Sequence, residues 1–515
     1  MGSISRRDFV KGVAALPLAM SVSGKALAAT TLKIRYDIAS PDGQQMMAIY
    51  ADAVRQMQAL GPDNPMSWMW QWYTHFVNGA TTKSDEITRI FGTTTKADEI
   101  TRIFGPTATP QSSLANETWN TCQSHSGQNS NNFLPWHRLY IYYFERIVRQ
   151  VCGHPEFTLP YWNYTSSDPA QRGVLPEQFR MPDDPLYGSL YVATRGSLAN
   201  SGQPIQKYQT GDPMDITDAM LKTTYSTVDS VQGFCRAIDS GVHGSIHVLT
   251  GTSKDMGSVP YAGQDPLFFV HHANIDRMWA SWNKNGGRNP ATTETWTQRA
   301  FVFADANGVR VSRKLSTAFS ILAMGYDYDV KIPKPAPPAP TGTSSATMMA
   351  AASAPTGKHA TKIAKSDTEA NLGTKTMHVR LLPVAGTRST NVLGLDPNDG
   401  RRTYLVVKDL HTWVQPEVLY HLYLTPPSGK MGLNKDDYVG AINFFDAEFH
   451  DHGGGMMAEA LGENFYSFDV TKVLQAIARS GDRSASAGLQ LSFVPGGTAN
   501  PKAKPLVATV ELVRQ

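Results

Sequence analysis

A chain of 515 residues with a formal charge of +3 and 18% charged residues is too long for one compact domain, and too nearly neutral to recognise nucleic acid or a membrane surface by charge. With 41% hydrophobic residues it can bury ordinary cores, and beyond residue 30 no long apolar span predicts a transmembrane helix. Three cysteines (Cys122, Cys152, Cys235) exclude a disulfide scaffold and leave room for one bridge at most.

In chain order, Ser5-Arg6-Arg7-Asp8-Phe9-Val10-Lys11 reproduces the twin-arginine export pattern S/T-R-R-x-F-x-K. A mildly apolar stretch from Gly12 to about Gly24 follows, then the cleavage-type triplet Ala26-Leu27-Ala28. Residues 1–28 are therefore expected to be a signal peptide, and the mature protein periplasmic or secreted. That route carries proteins already folded, often with a cofactor installed, so a metal site is foreshadowed.

Trp68, Trp72 and His75 share a helical face. TTKSDEITRIFG at 81–92 recurs as TTKADEITRIFG at 94–105. Two copies cannot stack into a solenoid, so a duplicated surface segment is expected. His125 lies in polar sequence, QSHSGQNSNN, with no face to place it on. FLPWHR opens a helical pattern in which His137, Ile141, Phe144 and Val148 share a face. His243 and His247, four apart in VHGSIHVLTG, share another. Phe268, His272, Ile275, Trp279 and Trp282 form an aromatic stripe, with His271 turned roughly 100° from it. A histidine inside such a stripe is buried and needs a partner or a metal. Periodicity prefers His272 to His271 only by a margin, and Asp276, one helical turn on, is placed to touch this segment's polar groups.

Two sets of three imidazoles describe a two-metal centre inside a helical bundle. Ligation by nitrogen alone argues against iron, calcium and magnesium and leaves copper or zinc, of which copper binds more tightly. Redox chemistry follows from copper, hydrolysis from zinc. Farther on, KIPKPAPPAP at 331–340 and an Ala/Ser/Thr-rich stretch to 357 read as a linker. Short runs rich in branched and aromatic residues then follow, at 403–408, 418–424 and 489–494. The expected organisation is a mainly α catalytic core over 29–330, a linker over 331–372 and a small β-sandwich-like domain over 373–515.

FLPWHRLYIYYFE (133–145) and DPLFFVHHANIDRMWASW (265–282) resemble the two copper-binding signatures of the tyrosinase, catechol oxidase and molluscan haemocyanin family, and Tyr326-Asp327-Tyr328 is similar to a motif near that domain's end. The resemblance covers roughly residues 60–330. It implies two copper ions, copper A on His75, His125 and His137 and copper B on His243, His247 and His272. His125 sits at a longer spacing from His137 than is common in the family. With O2 as co-substrate, bound side-on as a bridging peroxide, it implies ortho-hydroxylation of monophenols and oxidation of o-diphenols, both to o-quinones. Small phenols are then the substrates; a catechol oxidase without monophenolase activity is the alternative.

Around the metals the resemblance implies roles for four residues. Val259 matches a gate above copper A and is small, which predicts open access. Phe268 matches an aromatic residue packed near copper B. Asp239 stands where some members use an acidic group to hold a water that deprotonates the phenol. Gly244 stands where an asparagine is frequent. Cys122 matches, one residue out of place, a cysteine that some relatives join to a copper A histidine as a thioether, with a free buried thiol as the equal alternative; Cys152 and Cys235 could then pair. Phe465-Tyr466-Ser467-Phe468-Asp469-Val470 resembles the β domain of plant polyphenol oxidases, which implies a C-terminal domain shielding the active site until the linker is cut. His450, His452 and Met456-Met457 read as a polar Gly-rich loop ahead of copper handling. An oxygen carrier strings many such modules together and a zinc hydrolase needs a carboxylate base; neither pattern is present.

Overall fold

The computed structural model describes residues 32–76, 96–119, 130–336, 360–384, 401–427, 433–448, 465–480, 482, 484–485 and 488–515. The export signal, Cys122, His125, the first copy of the repeat, and His450, His452, Met456 and Met457 lie outside the described residues.

The helical unit is organised on two buried helices. In α1 (Pro41–Ala59) the Gly43 N–H donates to the Ser40 side chain, Pro41 opens the first turn, and Met46, Met47, Tyr50, Val54 and Met57 face inward at helical spacing. This face packs on α5 (Phe133–Cys152), which ends at Gly153 in the left-handed conformation, φ 71°. Between them in sequence come α2 (Trp68–Phe76), α3 (Lys96–Phe104) and α4 (Pro110–Thr118). A wide π-helical turn over Ile238–His243 runs into α6 (Gly244–Thr250). The unit's centre is α7 (Leu267–Lys284), buried on every side from Leu267 to Trp282, with Phe269 stacked 3.6 Å from Phe144 of α5.

α3 is the second copy of the repeat, and it is more than surface. Its Glu99 is 1% exposed, accepts the Tyr73 hydroxyl of α2 at 2.9 Å and pairs with Arg102 at 2.7 Å. Phe104 meets Trp70 edge-on. The buried Tyr73 hydroxyl needs an acceptor, and the repeat supplies it.

The ends of the unit are tied together. Strand β1 (Lys33–Arg35) pairs in parallel with β4 (Tyr326–Tyr328), while β2 (Ala300–Ala304) and β3 (Arg310–Lys314) form a separate hairpin. The β1/β4 pairing converges on Asp276 of α7. Its carboxylate accepts Arg35 at 3.2 Å, Tyr326 at 2.8 Å and Tyr328 at 2.5 Å, and pairs with Arg138 of α5. Asp276 is thus spent on this network and does not reach His272.

Cys152 and Cys235 are not bridged to one another, contrary to the expected pairing. Cys152 ends α5, whereas Cys235 lies beside the Asn131 carbonyl just ahead of that helix, and 20 residues of helix span about 30 Å. Burial pushes the Cys235 thiol up to about 12, so it is an inert core group.

The second unit is one nine-stranded sheet with its own core. β5 (Thr361–Ser366), β6 (Ala370–Asn371), β7 (Met377–Pro383), β8 (Thr403–His411), β9 (Tyr420–Thr425), β10 (Tyr438–Ile442), β11 (Phe465–Asp469), β12 (Leu489–Pro495) and β13 (Leu506–Arg514) run in the order β10-β9-β12-β7-β5-β13-β8-β11, with β6 on β13. The sheet curls until its end strands meet, Gly440 of β10 facing the Phe468 ring of β11 and the Asn443 N–H donating to the Tyr466 hydroxyl at 3.0 Å. The helix α8 (Thr471–Arg479) buries Leu474 and Ile477 against it. β5 and β6 lie inside the expected linker of 331–372. Ile363 and Ala364 are buried, so this short polar-looking run is an interior strand between β7 and β13. Among the described residues no helix is long and apolar enough to cross a membrane.

Candidate metal centre

The histidines come from four places in the helical unit. His75 is on α2, His137 on α5, His243 and His247 on the π turn and α6, and His271 with His272 on α7. All six are at most 2% exposed. The centroid of the His75 ring lies 5.8 Å from that of His137, which stacks on His272 at 4.2 Å and 3°. His243 lies 4.6 Å from His247 and 5.1 Å from His272. Five of the six predicted ligands thus converge, while His125 lies outside the described residues.

Backbone carbonyls orient three of the rings. Nδ1 of His137 donates to the Phe133 carbonyl at 2.8 Å, Nδ1 of His243 to Asp239 at 3.1 Å, and Nδ1 of His247 to Met256 at 2.6 Å. A carbonyl only accepts, so Nδ1 carries the proton and Nε2 keeps its lone pair for a metal. Burial first, then the neighbouring imidazoles, pushes His247, His271 and His272 well below the ordinary imidazole range. Neutral rings are ligand-ready rings.

His271 joins the cluster as well. One nitrogen from each of His243, His247, His271 and His272 lies within 4.8 Å of the others. Nε2 of His247 and both nitrogens of His271 and His272 are buried without a hydrogen-bond partner. Leaving such groups unsatisfied costs about 1–3 kcal/mol each, so the cluster fits a cation held by nitrogen.

The other predicted site residues surround these rings. Phe268 lies 4.7 Å from His75 and 4.2 Å from His272, wedged between the two sets rather than beside one. The Asp239 carboxylate reaches Nδ1 of His243 at 3.2 Å and Arg236 at 3.0 Å. Val259 is buried, and the preceding Ser258 hydroxyl donates to Glu448 of the sheet unit at 3.2 Å, so a small residue at 259 does not by itself open the site. Gly244 faces the Asn443 carboxamide, which also comes from the sheet unit.

Phe445 was beyond sequence reasoning. It follows β10, yet it packs in the helical unit's core, stacked on His247 at 4.0 Å and 9° and edge-on to His243 at 5.6 Å. No periodicity or motif in the sheet unit marks it.

Residues 65–219 and 189–285 match the family model described as the common central domain of tyrosinase. A tyrosinase from Hahella sp. (strain CCB-MM4) is 28% identical over 299 residues, 54% of this chain and 59% of that protein. Chloroplastic polyphenol oxidase C of Solanum lycopersicum is 30% identical over 235 residues, 39% of this chain and 36% of that protein. The matches thus span less than two thirds of these relatives. Among solved structures, latent apple tyrosinase superposes with a TM-score of 0.54 at 20% identity over 94% of this chain and 97% of that one. A latent aurone synthase, a polyphenol oxidase, gives 0.59 at 18% identity over 95% and 90%. At these identities the likeness speaks for the fold, a helical core followed by a sheet domain. With the match lying over this buried histidine cluster, residues 65–285 carry the common central domain of the tyrosinase family, whose members bind two copper ions and use O2.

Proposed function

We propose that the chain oxidises small phenols with O2 to o-quinones, acting on both monophenols and o-diphenols, and that its sheet domain keeps the full-length protein latent. The observation that carries the reading is the buried, nitrogen-only cluster, in which Nε2 of His247 and both nitrogens of His271 and His272 have no hydrogen-bond partner. His75, His125 and His137 would hold one copper and His243, His247 and His272 the other. The pair supplies a two-electron couple that activates O2.

The chain's own residues bind and orient. Phe268, between the two sets, keeps water out and fixes the faces of His75 and His272. The Asp239 carboxylate and carbonyl both meet His243 at Nδ1, holding that ring's Nε2 inward. Met256 does the same for His247. A substrate ring would take the place on His247 that Phe445 fills in the closed chain. In the diphenol reaction a catechol gives up two electrons and two protons and leaves as the o-quinone. Export by the twin-arginine route, supported by Arg6-Arg7, would deliver the folded protein to the periplasm or beyond.

Oxygen uptake by the copper-loaded full chain, offered tyrosine and its catechol counterpart separately, tests the reading. Low uptake before cleavage within 337–359 and strong uptake after it, with both substrates, is expected. Uptake with the catechol alone would make the protein a catechol oxidase, and no uptake with either after cleavage would end the phenol-oxidase reading.

A further inference from the structure

Phe445 reaches His247 only because a polar anchor two residues earlier fits a notch in the helical unit. Inside the turn Ile238–His243, Gly241 departs from helical geometry at φ −79°, ψ −108°. The break turns the Ser240 carbonyl away from the helix ladder. The Asn443 carboxamide meets that carbonyl, Nδ2 donating at 2.8 Å. Its Oδ1 accepts the Phe445 N–H at 3.2 Å, so one side chain grips the helical unit with one end and sets the plug with the other. The Tyr466 hydroxyl accepts the Asn443 N–H at 3.0 Å and donates to its carbonyl at 2.9 Å.

This arrangement requires glycine at 244. A Cβ there would sit 2.5 Å from Asn443 Oδ1 and 2.7 Å from Nδ2. The amide end cannot swing aside without giving up a bond on each side, and Asn443 is 2% exposed, so no water replaces them. Around the notch, Gln232 exchanges hydrogen bonds with Ser467 across the two units, and Arg236 pairs with both Asp239 and Asp446.

We propose that Gly244 is the receiving notch of the closed chain and Asn443 the positioning residue that enters it, sets Phe445 over His247 and so decides whether the sheet domain covers the metal centre. The role in catalysis rests on the function proposed above; the docking does not. In this view the bare position at 244 is the helical unit's half of a lock rather than a weakened catalytic position.

Hydrogen exchange on the metal-free full chain, read by mass spectrometry, tests the notch directly in Gly244→Ala, Asn443→Ala and the double variant. Each single variant should speed exchange about tenfold in peptides over 238–250 and 438–448, the change that about 1.4 kcal/mol makes in an equilibrium. The peptide over Leu489–Pro495 should stay protected, showing the sheet intact. The double variant should exchange no faster than either single one, because both remove one contact. Wild-type protection in the single variants, or additive effects in the double, would overturn the notch. Oxygen uptake by the copper-loaded variants with a catechol separates the two readings. If Phe445→Ala raises uptake and the Gly244 and Asn443 variants do not, the notch fails while latency stands. If exchange responds as expected and no variant consumes oxygen, the notch stands and the phenol-oxidase reading fails.

Discussion

His271 and His272 show how little separates two adjacent side chains on a buried helix. Both are buried, both are pushed neutral, and both lack a hydrogen-bond partner. What distinguishes them is what each ring faces. His272 stacks on His137 and touches Phe268, so it lies between the two ligand sets, whereas His271 meets Tyr164, His243 and His247 on one side only. His272→Ala should therefore lower the copper content from two per chain to about one, while His271→Ala keeps both, as measured by metal analysis of the purified proteins. Loss of a copper from His271→Ala would exchange the two assignments.

At the scale of elements, Asp276 holds the helical unit closed by joining α7 to α5 through Arg138 and to the β1/β4 pair through Arg35, Tyr326 and Tyr328. Burial alone would raise the carboxyls of Asp276 and of Glu145, but the guanidiniums of Arg138 and Arg35 beside the first, and of Arg35 and Arg149 beside the second, outweigh it and hold both below the ordinary carboxylate range. A folded-state value below the unfolded one means that the stabilisation is complete above pH about 4 and is lost as pH falls through the folded values. Asp276→Asn should cost about 3–5 kcal/mol, because it leaves two buried guanidiniums short of a charge partner. Its melting temperature should also depend less steeply on acid than that of the wild type. Unfolding within about 1 kcal/mol of wild type at neutral pH would show that the network is not a structural tie.

For the whole molecule, the question is whether the sheet domain is a passenger or a lid. Phe445 belongs to the helical unit's core rather than the sheet's, and Ser253 and Ser258 of the helical unit bond Glu417 and Glu448 across the interface. Phe445→Ala should raise oxygen uptake by the uncleaved, copper-loaded chain on a catechol by about tenfold or more, an increment of the order that removing one well-packed aromatic contact provides. Unchanged uptake, together with a rise on cleavage, would place the block elsewhere in the sheet domain.

The sequence alone determined the local facts. Helical spacing put His75, His137, His243, His247 and His272 on inward faces, and the apolar stripe on α7 told that His272 is buried. Composition separated a helical unit from a sheet unit. Three things were decided only by packing. Asp276 was within a turn of His272, but two arginines and two tyrosines far away in sequence claimed it. The run Thr361–Ser366 carried too few apolar residues to announce a strand, and became one because β7 and β13 flank it. Gly244 read as a missing side chain until Asn443, 199 residues later, filled the space. Periodicity records which face of an element is apolar; it carries no information about which distant side chain arrives there, and here Asn443 arrives at Gly244 and Phe445 on His247.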